Sequence, residues 1–258
     1  MAYIISLEGK VALVAGGSRG IGAECCRQLA AAGAGIIINH THSKRGTSAG
    51  EKLEEELKQA GAEVLRCPAD ISSEEEVKEM IKQAVGYFGH IDIVVNNAAI
   101  MEYTPLEKMS YDEWKRVMRV NLDGPMLVVR EVLPGMLERG SGVIIMISSN
   151  AVINGGGNSL HYPASKAGLE GMVKGLAKDY APRGIRANVI RPAVIDTDLL
   201  RERYPTDEDM ERYAATIPVR RVGKPEDIAN MVVFLASDKA SYICGESINV
   251  DGGRTYFK

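Results

Sequence analysis

Short, continuously apolar runs alternate with longer amphipathic segments along almost the whole of this 258-residue chain. The runs are Val11 to Ala15, Gly35 to Asn39, Glu63 to Cys67, Ile91 to Asn96, Gly142 to Ser148, Arg186 to Arg191 and Glu246 to Val250. They are too short for helices, and being apolar throughout rather than at every second residue they read as strands buried on both faces. Between them, Gly20 to Ala32, Thr47 to Ala60, Ser73 to Phe88, Tyr111 to Glu138, Ser159 to Ala181 and Pro225 to Ser237 carry helical spacing of apolar residues. Repeated strand–helix–strand order leads to a parallel sheet with right-handed crossovers. The expected fold class is therefore α/β, a single doubly wound parallel sheet flanked by helices on both faces. In such a sheet ligands bind at the carboxyl ends of the strands.

No linker, low-complexity tract or charge block divides the chain, so residues 1–258 are expected to form one domain. The least regular stretch, 193–218, has mixed charge and reads either as a lid over a substrate or as a surface insertion. A hydrophobic content of 45% and a net charge of -3 give no electrostatic footprint for nucleic acid or an anionic membrane. No apolar run reaches the ~20 residues of a membrane span, and Met1 to Lys10 lacks the pattern of a secretory signal. Cys25, Cys26, Cys67 and Cys244 form no C-x-x-C pair and read as apolar fillers of a reduced, cytoplasmic protein.

The first strand runs directly into Gly16-Gly17-Ser18-Arg19-Gly20-Ile21-Gly22. Glycines at 16, 20 and 22 allow a tight turn and a close backbone approach to a pyrophosphate, which the following helix attracts with free N–H groups and its positive dipole end. The spacing is G-x-x-x-G-x-G rather than G-x-G-x-x-G. At the end of the second strand an acidic residue would hold the ribose hydroxyls of NAD. Here Asn39-His40-Thr41-His42-Ser43-Lys44-Arg45 contains no carboxylate, and Arg19 stands in the glycine turn. NADP is therefore expected over NAD, although Arg19 and Lys44 would also suit a solvated surface. Asp70 after the third strand suits either an adenine amine or a helix cap.

At the other end of the chain Tyr162 and Lys166 are four apart in a helical segment and share a face. An ammonium beside a phenol favours the phenolate and lowers a pKa otherwise near 10. Ser149 ends the fifth strand, where a hydroxyl could hold a carbonyl oxygen beside the tyrosine. The four histidines, His40, His42, His90 and His161, have no ligand spacing, and no metal is expected.

Together these segments resemble the short-chain dehydrogenase/reductase family over essentially the whole chain. The matching pieces are Val14 to Gly22, Asn96-Asn97-Ala98-Ala99, Asn121 within Val120-Asn121-Leu122, Ser149 thirteen residues before Tyr162, Tyr162-Pro163-Ala164-Ser165-Lys166, and Arg191-Pro192-Ala193. Ala15, Ala99 and Ala193 depart from the threonine and two glycines of the family pattern. The first removes a hydroxyl that would tie the glycine turn to the asparagine segment. The resemblance implies a Rossmann fold and hydride transfer between nicotinamide and a carbonyl or alcohol. It implies that Tyr162 exchanges the proton with the substrate oxygen and Ser149 orients that oxygen. Lys166 would lower the tyrosine pKa and hold the nicotinamide ribose, and Asn121 would hold a relay water. Gly16, Ser18, Arg19, Gly20, Ile21, Gly22, Asn39, His40, Thr41, Asp70, Ile71, Asn97, Ala98, Ala99, Pro192, Ile195 and Thr197 would line the cofactor.

The pattern looks closest to 3-oxoacyl-carrier-protein reductases and to sugar or polyol dehydrogenases. A 3-oxoacyl thioester is the expected substrate, with sugars, polyols, steroids or small ketones as alternatives. A non-catalytic nucleotide-binding regulator or scaffold is the rival from another class. An acidic carrier protein would need basic residues near the mouth, and Arg139 and Arg183 are candidates. Gly155 to Gly157 and Asn158 should border the substrate pocket, and His161 either faces it or points away. The two long helices at 111–138 and 159–181, with the C-terminal segment through Lys258, imply a homotetramer, with a dimer second.

Overall fold

The computed structural model describes residues 5–157, 159–204 and 206–255, apart from the side chains at 199, 202 and 203. Asn158 and Lys258 lie outside the described residues. Seven parallel strands form one sheet in the order β3-β2-β1-β4-β5-β6-β7. They are β1 (Val11–Ala15), β2 (Gly35–His40), β3 (Val64–Pro68), β4 (Ile93–Asn96), β5 (Gly142–Ile147), β6 (Ile185–Pro192) and β7 (Ser247–Val250). The helices are α1 (Gly20–Ala31), α2 (Lys44–Gln59), α3 (Glu74–Phe88), α4 (Tyr111–Met118), α5 (Gly124–Arg139), α6 (Ala151–Asn154), α7 (His161–Tyr180), α8 (Asp198–Arg203), α9 (Asp207–Ala214) and α10 (Pro225–Ala236).

Successive strand residues feed two different cores. In β1, Ala12 and Val14 pack with Leu29 of α1, Leu53 of α2 and Ile228 of α10. Val11, Leu13 and Ala15 pack on the other face with Met80 of α3, Val132 of α5 and Leu169 of α7. This two-sided burial is why β1 is apolar at every position. Ile36, Ile37 and Ile38 are each fully buried, and each contributes on the order of 2 kcal/mol. The strand order reverses between β1 and β4, which opens a crevice at their carboxyl ends.

Two expectations change. The single helix expected over Tyr111 to Glu138 is broken by a π-helical turn at Arg119–Asp123. Pro125 has no N–H to give the carbonyl of residue 121, so the regular α-helical ladder fails there. The stretch at 193–218, expected to be irregular, holds α8 and α9. Arg201 staples it, making two 2.8 Å bonds to Asp196 before α8 and a 2.9 Å bond to Asp207 at the start of α9.

Candidate active site

The crevice begins where β1 enters the glycine turn. Gly16 and Gly20 have φ of 70° and 53°, which only glycine adopts without strain. Space is equally restrictive. A Cβ on Gly22 would fall 2.0 Å from the Gly16 oxygen, and one on Gly16 would fall 2.8 Å from Ala98 Cα. The Asn97 side chain donates to the Gly16 carbonyl at 2.9 Å. The backbone N–H groups of Asn97 and Ala98 both donate to the Ala15 carbonyl, at 3.2 and 2.9 Å. The turn is thus tied to the asparagine segment through backbone although Ala15 has no hydroxyl. At the amino end of α1, Arg19 is extended, no side chain caps the helix, and its first turn contains no acidic residue. Ser18, Gly20 and Ile21 are partly buried along this turn. An uncapped helix start behind a glycine cradle fits the pyrophosphate of a dinucleotide.

Beside the cradle, the end of β2 uses its polar side chains internally. Asn39 is buried, accepts from Gly16 N at 3.3 Å and donates to the carbonyls of Cys67 and Ala69 at 3.2 and 3.1 Å. The buried His40 ring bonds the Thr41 carbonyl at 2.8 Å and lies against Gly50 of α2; burial holds its pKa below the ordinary value. Thr41 is exposed. Asp70 accepts from the N–H and hydroxyl of Ser72, at 2.9 and 2.8 Å, while Ser73 caps α3. Asp70 therefore shapes the turn before the helix and is not its cap. Ile71 is buried in the core behind it. Arg19 and Arg45 converge on Asp198 of α8, at 3.8 and 2.8 Å. Thr197 lies over Gly20, Ile195 bridges to Gly223, and Pro192 is buried at the end of β6. Ala99 is exposed at the mouth.

Chemistry-bearing side chains collect at the end of β5. Ser149 hydrogen-bonds the Tyr162 hydroxyl, and its oxygen accepts from Ala151 N at 3.1 Å. Lys166 is 2% exposed; its ammonium donates to the Ile147 carbonyl at 2.8 Å and lies 5.7 Å from the Tyr162 ring centre. Here the structure corrects the expected electrostatics. Burial pushes Tyr162 up to about 12, opposed by the Ser149 hydrogen bond and assisted by nearby Tyr103. Burial likewise brings Lys166 down to about 8. Desolvation is the largest cause of both shifts, and the Lys166 ammonium is turned to the Ile147 carbonyl. At neutral pH Tyr162 is a protonated acid. Fully buried Asn121 lies in the π turn, where its side chain pairs with both backbone groups of Ile100 at 2.8 Å and approaches Ser165 at 3.2 Å.

Other expectations resolve differently. His161 is fully buried and bonds Glu113 of α4 at 3.0 Å, so it faces away from the pocket. Arg139 donates to the Ile91 carbonyl at 2.6 Å, at the amino end of β4, and Arg183 precedes β6. Helices run antiparallel to the strands they connect, so both arginines lie at the end of the sheet opposite the mouth. Gly155, Gly156 and Gly157 all have φ between 61° and 81°, so they serve an unusual backbone path as well as leaving space. Sequence inspection missed Tyr103, Arg45 and Glu170. Arg45 carries a recognisable signal, a cation just past the second strand; the other two stand in no motif. Among the described residues no cluster of metal-ligating side chains occurs, and no helix is long and apolar enough to cross a membrane.

The comparisons agree with this geometry. The family model described as enoyl-(acyl carrier protein) reductase matches residues 15–255. A 3-oxoacyl-[acyl-carrier-protein] reductase FabG of Staphylococcus epidermidis is 40% identical over 244 residues, covering 95% of this chain and 98% of its own. The versicolorin reductase stcU of Emericella nidulans is 38% identical over 257 residues, covering 96% of each chain. Among solved structures, a putative gluconate dehydrogenase from Agrobacterium tumefaciens superposes with a TM-score of 0.91 at 32% identity, covering 98% of this chain and 99% of that one. With a parallel seven-stranded sheet, a glycine cradle and a serine–tyrosine–lysine face on one crevice, the chain belongs to the short-chain dehydrogenase/reductase family of oxidoreductases.

Proposed function

We propose that this protein is an NADP-dependent reductase of 3-oxoacyl thioesters. The observation that carries the chemistry is the Ser149–Tyr162–Lys166 face at the carboxyl end of β5, half-buried at Ser149 and Tyr162 and fully buried at Lys166. Bound nicotinamide supplies or accepts the hydride. Ser149 holds the substrate oxygen, and Tyr162, kept protonated by burial, donates the proton to it during reduction. Lys166 holds the nicotinamide ribose. Asn121, whose carbonyl has no α-helical donor because of Pro125, holds the water that reconnects Lys166 to solvent.

Gly16, Ser18, Gly20, Ile21 and Gly22 cradle the pyrophosphate. Asn39, His40, Thr41, Asp70 and Ile71 border the adenosine; Asn97, Ala98, Ala99, Pro192, Ile195 and Thr197 border the nicotinamide half. Two features support NADP: the absence of a carboxylate at 39–45, and two cations beside the cradle, Arg19 and Arg45, which share the single carboxylate of Asp198. The FabG similarity supports the thioester. The similarity to a versicolorin reductase supports a second reading, another ketone handled by the same chemistry. Residues 193–218 act as the lid. The active form is a cytoplasmic homotetramer, a state supported by free cysteines and by exposed Met126 and Tyr242.

Consumption of NADPH and NADH against 3-oxoacyl thioesters, sugars, polyol-derived ketones and steroids tests this. NADPH-linked turnover of a thioester is expected, and Arg19→Ala should weaken NADPH binding roughly tenfold more than NADH. Turnover of another ketone alone would move the substrate to the second reading. Equal loss of both cofactors would remove Arg19 from phosphate recognition, and a 27.9 kDa monomer by light scattering would overturn the tetramer.

A further inference from the structure

We infer that Glu170 is a positioning residue of this active site: one buried carboxylate that keeps Ser149, Lys166 and the Pro192 turn in register. The inference rests on the Ser149–Tyr162–Lys166 reading above. Residues 162, 166 and 170 are spaced by four along α7 and share a face. The end of β5 meets that face rung by rung. Ser149 bonds Tyr162, the Ile147 carbonyl takes the Lys166 ammonium at 2.8 Å, and the Ser148 hydroxyl lies 3.1 Å from Glu170 Oε1. The same hydroxyl is 3.3 Å from the Lys166 carbonyl.

From the third element, β6, Arg191 closes the cluster. Its Nε donates to Glu170 Oε1 at 2.6 Å and its Nη2 donates to Oε2, a forked pair that fixes the carboxylate plane. Ser148 and Glu170 are 3% and 8% exposed. Each member is adjacent in sequence, or one helical turn away, to a residue that works: Ser148 to Ser149, Glu170 to Lys166, Arg191 to Pro192. A buried ion pair is seldom more stabilising than apolar side chains of the same volume. Its location, where three site-bearing elements meet, points to alignment of the site.

The experiment replaces the pair by apolar residues, Glu170→Leu with Arg191→Leu, and measures the thermal midpoint, NADPH affinity by nucleotide fluorescence, kcat and its pH profile. A role in stability alone leaves kcat untouched once the protein folds and binds. The expected result is a midpoint and a Kd close to the parent's, kcat lower by roughly tenfold, and a displaced pH at half-maximal kcat, because the Ser149 hydrogen bond opposes the effect of burial on Tyr162. A kcat within about twofold of the parent overturns the inference. Ser148→Ala keeps the ion pair and deletes the hydroxyl's two bonds, to Glu170 and to the Lys166 carbonyl; it should lose kcat by roughly threefold at unchanged Kd. If the double variant fails to fold, Ser148→Ala decides, and unchanged kcat overturns the inference. Tyr162→Phe assayed alongside separates the two levels. Retained turnover in it sinks the catalytic reading, whereas an inactive Tyr162→Phe beside a fully active double variant sinks only the assignment of Glu170.

Discussion

At the carboxyl end of β1 the crevice is built from backbone, and at the carboxyl end of β5 it is built from side chains. The glycine cradle presents backbone to the crevice, is tied by main-chain bonds from Asn97 and Ala98 to Ala15 and by the Asn97 and Asn39 side chains to Gly16, and leaves no room for a Cβ at Gly16 or Gly22. The face proposed for catalysis brings hydroxyl, ammonium and carboxylate groups together in low dielectric. The first region should fail when an atom is added, the second when one is taken away. That difference follows from the two tasks: close approach to a charged cofactor needs space and N–H donors, while proton transfer needs a particular group at a particular atom.

The sharpest break in this contrast is Tyr162→Phe. Removing one oxygen should reduce turnover by about a thousandfold or more, with cofactor affinity and thermal midpoint near those of the parent; turnover within tenfold of the parent would remove Tyr162 from proton transfer. Gly22→Ala adds one carbon where 2.0 Å is available. It should weaken NADPH binding by roughly thirtyfold, about 2 kcal/mol, as measured by fluorescence titration. An unchanged Kd would show that the cradle yields where the contacts say it is rigid.

The electrostatics of the catalytic face give a third test. Burial lowers Lys166 from 10.5 to about 8, so the unfolded chain holds a proton on this residue between those pH values that the folded chain has released. The penalty of the buried ammonium is complete below pH 8 and is relieved as pH rises to 10.5, so this group makes stability increase across that window. Lys166→Met should flatten that rise in chemical denaturation series at successive pH, by on the order of 2 kcal/mol. The raised Tyr162 acts in the opposite direction only above pH 10. Identical slopes in parent and variant would mean that Lys166 is not desolvated.

The smallest effect belongs to the joint between the two regions. Asn96, buried at the end of β4, has neither side-chain N nor O partnered, and its register partner on β1 is Ala15. Both residues face the same core layer. Ala15→Thr offers a hydroxyl to that amide and should raise stability by about 1 kcal/mol, read as a higher thermal midpoint. A lower midpoint would show that the layer has no room for the added atoms.

These contrasts also mark what could be seen in the sequence. The sheet, its two-sided core and the cradle were legible because they rest on local regularities: uninterrupted apolar runs, helical periodicity and glycines at a turn. Tyr162 and Lys166 were legible as a pair because four-residue spacing fixes their shared face, and Ser149 because it closes a strand. The inward turns of Asn39, His40 and His161 were not, since each depends on packing against distant elements. His161 illustrates the point: only the packing of α4 against α7 places Glu113 at 3.0 Å from its ring.

The sequence by itself determined that this chain forms a doubly wound parallel sheet with a glycine turn after its first strand, and it set Tyr162 and Lys166 on one face of a helix. The tertiary structure decided the rest. It placed Arg139 and Arg183 at the far end of the sheet, ordered 193–218 into two stapled helices and interrupted the helix at Asn121. It also reversed the expected shift of Tyr162, and it gathered Ser148, Glu170 and Arg191 into one buried cluster. The physical reason is range. Backbone conformation and periodic burial are set by neighbours along the chain, whereas desolvation and side-chain pairing are set by whatever the fold brings within a few ångströms.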